Sequence, residues 1–218
     1  MSLKTKHAYI KSNSLKRIAL SISLLMGSTA WADPFEGSSF TLENSGIAEY
    51  DSMTVKWTAT DQTAAGVSLG SSSSLTLSGA FNLTGTGSAT PTGNQEALYL
   101  GESSVLNQTG GEFTVAFTAA SPETTQQASA AVYADKGSKL TFGGNASITA
   151  QGNASELTGL RLYGSASGDS LRVKSINARE NQAASMDGFA AAIWQDHGSS
   201  MDVNAVSAEA QGAGTSAG

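Results

Sequence analysis

The stretch AAIWQDHGSSMDV, residues 191–203, brings Asp196, His197, Ser199 and Ser200 within five positions. An acid, a base and hydroxyls are the parts of a nucleophilic site, in which a carboxylate orients an imidazole and the imidazole deprotonates a serine. A second stretch, AVYADKGSKLTF at 131–142, aligns with it without a gap. Val132-Tyr133 falls on Ile193-Trp194, Asp135 on Asp196, Gly137 on Gly198, and Leu140 and Phe142 on Met201 and Val203. Opposite His197 stands Lys136. A position that takes Lys or His does not require an imidazole, so the stretch reads as a turn. The run Gly168-Asp169-Ser170-Leu171 has the letters of an esterase GDSL motif but leads into an alternating apolar segment within a repeat, and it too reads as a turn. No catalytic residue is assigned. No acidic cluster has EF-hand spacing and no Gly/Asp calcium nonapeptide occurs, so no metal or cofactor is assigned.

The elements around these turns repeat. Leu98-Tyr99, Val132-Tyr133, Leu162-Tyr163 and Ile193-Trp194 recur about every thirty residues, with a degenerate copy at Val67-Ser68. A second apolar triplet follows as Leu75-Thr76-Leu77, Leu140-Thr141-Phe142, Leu171-Arg172-Val173 and Met201-Asp202-Val203, and the copy at Val105-Leu106 fits poorly. A third reads Phe81-Asn82-Leu83, Phe113-Thr114-Val115, Ile148-Thr149-Ala150, Ile176-Asn177-Ala178 and Val206-Ser207-Ala208. Each triplet alternates apolar, polar, apolar, which is the period of a strand with one face buried. Gly, Asn, Asp and Ser between triplets favour turns.

Three short strands per period of about thirty residues predict an all-β fold, a parallel β-helix in which each strand pairs in register with its counterpart one coil away. A four-stranded propeller blade needs a longer period of about forty. Register then makes columns meaningful. It predicts that Arg172 and Asp202 are neighbours in one outward column, about 5 Å apart.

The aromatic column Tyr99, Tyr133, Tyr163 and Trp194 falls on the parity opposite the apolar residues, so it is expected to face outward. Such a ladder shields the sheet surface. Its alternative use is as a platform on which sugar rings stack, and these four residues are the candidate ligand-stacking positions.

The chain divides into three parts. Residues 1–32 carry Lys4, Lys6, Lys11, Lys16 and Arg17, then the apolar run IALSISLLMG, then Ala30-Trp31-Ala32. A basic flank, a short apolar core and a small-x-small end predict a signal peptide cleaved between Ala32 and Asp33. Removing it leaves seven basic and eighteen acidic residues, a net charge of −11. That disfavours nucleic acid as a partner. Residues 33–60, with Phe35, Phe40, Tyr50 and Trp57, are expected to cap the first coil, whose open edges need cover. Residues 61–218 form the repeats. They stop after a regular strand, so the chain is expected to be the front part of something longer or to lack its stacking partner.

A leader with an extended basic region, followed by Cys-free, acidic, Gly/Ser/Thr/Asn-rich irregular repeats such as GSKLTFGGNASITAQG, resembles the passenger domain of type V autotransporters of Gram-negative bacteria. The resemblance implies a right-handed parallel β-helix, export to the cell surface or beyond, and an outer-membrane β-barrel translocator as partner, encoded outside this chain. It also implies an adhesin or structural stalk that meets a host or glycan ligand. The alternative is a β-helical polysaccharide lyase or hydrolase, which would need titratable groups converging in a cleft.

Overall fold

A computed structural model describes residues 33–60, 65–120, 128–167, 173–180, 189–196, 198–202, 207–211 and 215–217. Each period of about 31 residues makes one coil of a parallel β-solenoid. Three strands per coil stack into three sheets, all pairings parallel. The first sheet runs Phe35–Gly37, Met53–Thr58, Phe81–Thr86, Phe113–Ala120, Ala146–Asn153, Val173–Glu180 and Ala208–Gln211. The second runs Phe40–Leu42, Val67–Leu69, Gln95–Leu100, Ala128–Ala134, Glu156–Leu162, Phe189–Gln195 and Thr215–Ala217. The third runs Ile47–Tyr50, Ser74–Leu77, Val105–Gln108, Lys139–Thr141, Ser165–Ser167 and Ser200–Asp202.

The core is a thin rod of stacked columns. Met53, Phe81 and Phe113 share one register column and are fully buried. The two Phe rings stack at 4.8 Å. The next residue in that column is Ala146, and the edge of Phe142 meets Phe113 from the third-sheet side, also at 4.8 Å. In the column Trp57, Gly85, Phe117 the two rings stack at 6.2 Å across the glycine. A Cβ on Gly85 would approach the Trp57 ring to 3.0 Å, so the missing side chain is what lets rings two coils apart meet. Full burial of side chains of this size contributes about 1.5–3 kcal/mol each.

Three expected alignments are corrected by the register. Ile148 lies opposite Val115, and Ala146 opposite Phe113, so the third triplet is offset by two residues there. Ala208 pairs with Ile176, which displaces Val206 by the same two. Asp202 pairs with Ser167, not with Arg172, and Val173 already belongs to the first sheet opposite Ala146. Arg172 itself lies outside the described residues. The cause is local. Four residues separate the second- and third-sheet strands at 101–104 and 135–138, but only Tyr163 and Gly164 do so after Leu162. The third strand of that coil therefore starts early and is Ser165–Ser167.

The poorly fitting copy at Val105-Leu106 also has a reason. Leu106 keeps its place between Leu75 and Leu140, while Gln108 takes the place of Leu77. Gln108 is fully buried, yet its Nε2 donates to the carbonyls of Gly79 and Glu112 at 3.0 and 3.1 Å, and its Oε1 accepts from the Gly143 N–H at 3.4 Å. A buried amide is tolerated when its donors and acceptor are met.

The segment expected as a cap is built as a coil. Phe35, Phe40 and Tyr50 begin or end strands in all three sheets, and their rings pack edge to face at 5.2–5.9 Å, filling the end of the rod.

Candidate functional site

The turn that carries the catalytic-looking letters recurs along the solenoid. Its third residue has positive φ every time: Ser45, Ser72, Ser103, Gly137 and Gly198, at 60°, 58°, 58°, 69° and 83°. This is the demand of a type II turn at that position. The fourth residue closes it. Ser73, Ser104, Ser138 and Ser199 donate their N–H to the carbonyls of Gly70, Gly101, Asp135 and Asp196. Three of the hydroxyls add a bond to the same carbonyl: Ser73 and Ser138 at 2.6 Å, Ser199 at 2.5 Å. Ser199 is thus a turn latch bound to the main chain of Asp196. The residue before the positive-φ position is Asn44, Ser71, Glu102 or Lys136 in the other coils, so the slot places no demand on side-chain chemistry. His197 lies outside the described residues, as do Gly168-Asp169-Ser170-Leu171 and the cleavage residues Ala30 and Ala32. Asp33 begins the described chain and is exposed.

The outer face of the second sheet carries more. Its column runs Ser68, Tyr99, Tyr133, Arg161, Trp194. Arg161 therefore occupies the place expected for Tyr163, which sits two residues further along. The short turn after Leu162 carries Tyr163 out of the strand, yet its ring still lies 5.5 Å from Tyr133. Tyr99 and Tyr133 stack at 5.7 Å with an 18° tilt. One face of each ring is thus covered by the other. The Arg161 guanidinium lies 5.9, 5.6 and 5.5 Å from the rings of Tyr133, Tyr163 and Trp194. Contacts of this kind contribute about 0.5–2 kcal/mol each. Sequence pattern missed Arg161 because a cation and an aromatic ring fill an outward column equally well.

Electrostatics tie this face together. Arg161 Nη1 donates to Glu156 Oε1, and its Nε and Nη2 donate to the Tyr163 hydroxyl at 3.2 and 3.0 Å. Burial lowers the Arg161 pKa, but the Tyr163 bond and the Glu156 charge outweigh it and hold the group above its usual value. Tyr99 donates to Asp135 at 3.4 Å, and burial together with that carboxylate raises its pKa. Burial first, then Asp135 and Tyr163, pushes Tyr133 up to about 12, against the pull of Arg161. Glu96, three residues before Tyr99, is pushed up to about 7 by burial, with Arg161 acting in the opposite direction.

Beneath this surface the Ser129 and Thr158 hydroxyls and the Gln95 amide nitrogen are buried without a partner. Among the described residues no group of three or more His, Cys, Asp or Glu side chains is placed to hold a metal ion. The arrangement offers aromatic rings, phenolic hydroxyls, one guanidinium held on both sides and three carboxyl groups, those of Glu96, Asp135 and Glu156. Arg161 is held there as a cation. No family model, no curated protein and no solved structure matches the chain.

Proposed function

We propose that this chain is an exported, surface-displayed β-helical passenger of the autotransporter type, acting as an adhesin or structural stalk through the outer face of its second sheet. The observation that supports this reading is the outward column Tyr99, Tyr133, Arg161, Trp194, which crosses four coils without a break. A column repeated at strand spacing is a long, rigid, pre-organised contact face, and pre-organisation lowers the cost of binding. Its partners are an outer-membrane β-barrel for export and a host or glycan surface as ligand. The basic and apolar leader, the absence of Cys and the acidic repeats agree with passage across two membranes.

Expression of the full chain fused ahead of an autotransporter barrel in a Gram-negative host tests this. Surface labelling and adhesion to glycan-coated plates should both appear, and adhesion should fall in Tyr133→Ala. Protein retained in the periplasm, or adhesion equal to that of barrel alone, would count against the proposal. A second reading, a polysaccharide-active enzyme, draws on Glu96, whose pKa near 7 suits a general acid or base. Depolymerisation of a polysaccharide, lost in Glu96→Gln, would favour it.

A further inference from the structure

At the leading edge of the second sheet, Asn94, Ala128, Ser155, Glu156, Phe189 and Trp194 ring a shallow, open hollow of about 480 Å³. Ala128, Glu156 and Phe189 are register neighbours on successive coils. We infer that this hollow binds a neutral, hydroxyl-rich sugar unit of a glycan, an inference that rests on reading this face as a ligand-binding surface.

Phe189 and Trp194 meet edge to face at 5.1 Å and 81°, forming an apolar corner. Trp194 remains 36% exposed, unusual for so large an apolar ring. A pyranose has one face of C–H groups, which such a corner covers, and a rim of hydroxyls that each donate and accept. Both kinds of partner line the hollow. Asn94 Oδ1 accepts from the Ala128 N–H at 3.2 Å, which directs the amide NH₂ away as a donor. Glu156 gives Oε1 to Arg161 and keeps Oε2 as an acceptor.

Charge selects between neutral and acidic sugars. An acidic sugar would need a free cation, and the guanidinium at this site is engaged on both sides, by Glu156 and by Tyr163. The Glu156 carboxylate on the rim repels a second one. Arg161 thus acts as a positioning residue for Glu156 and the rings, not as an anion receptor.

The test uses the full chain and calorimetric or saturation-transfer titration with mannohexaose, cellohexaose and hexagalacturonate. A neutral hexaose should bind, and Trp194→Ala should weaken it by about tenfold or more. Asn94→Ala, a change at an exposed position that leaves the core intact, should weaken it by a smaller factor. Thr118→Ala on the first sheet should leave it unchanged. Preference for hexagalacturonate, or equal affinity in the Trp194 and Asn94 variants, would overturn the inference. Failure of every hexaose to bind overturns the hollow as a sugar site, while adhesion by the displayed protein is decided separately.

Discussion

Along the outside of the first sheet, Thr54, Asn82, Thr114 and Ser147 stand in one column and Thr58, Thr86, Thr118 and Gln151 in another. Along the outside of the second stand Tyr99, Tyr133, Arg161 and Trp194. The two ladders have the same spacing and the same direction, and both cover one apolar rod. They differ only in what each column multiplies. Polar side chains one strand apart give short contacts, such as Gln151 Nε2 donating to Thr118 Oγ1 at 3.3 Å. Rings and a guanidinium half-bury their neighbours, and that partial burial moves the titration of Glu96 and Tyr133. A solenoid therefore acquires a reactive-looking face through column composition alone, without a cleft.

The comparison breaks most easily at what the two faces share. Phe113→Ala empties a fully buried position stacked between Phe81 and Phe142. It should cost about 3–5 kcal/mol, read as a fall in thermal midpoint. A loss below about 1 kcal/mol would mean that the rod is loosely packed and the outer faces carry the stability.

Glu96 sharpens the contrast by pH. Its ordinary value is 4.5 and its folded value about 7, so folding favours the protonated form. That stabilising contribution is complete below about pH 4.5 and is lost as pH rises through 7. The difference corresponds to about 3 kcal/mol at most. Glu96→Gln should be more stable than the parent at pH 8 and nearly equal to it at pH 4, in paired melting curves. Parallel curves across that range would remove the electrostatic distinction between the faces.

At the turn joining the aromatic face to the third sheet, Ser138→Ala removes the 2.6 Å bond to the Asp135 carbonyl. The expected loss is about 0.5–1.5 kcal/mol, with Ser199→Ala similar. A Ser199→Ala protein that keeps its stability but loses a hydrolytic activity would restore the nucleophile reading. The smallest effect belongs to the hydroxyl face. Thr118→Ala should change stability by no more than about 0.5 kcal/mol in denaturant titration.

The opening constellation reads as a turn in the sequence, and the described residues around it form one. Lys136 opposite His197 identified a turn, and the structure supplies the reason in Gly198, Gly137 and Ser103, which share one positive-φ position. The tertiary structure then decided what side each neighbouring coil offers. Arg161 replaced Tyr163, Ala146 replaced Ile148 and Ala208 replaced Val206 in their columns.

Each of those three displacements is by two residues. A shift of two returns every side chain to the same face, so alternation cannot register it. The sequence determined the buried parity, the period and most of the strands and turns, though not the strand Ser165–Ser167 or the short turn before it, because parity and period follow from local spacing and from the φ that each turn demands. Inter-coil register, the pairing of Ser167 with Asp202 and the burial of Glu96 depend on how many residues each turn spends and on which rings fit side by side. Those are distances between residues some thirty positions apart, and only the folded coil fixes them.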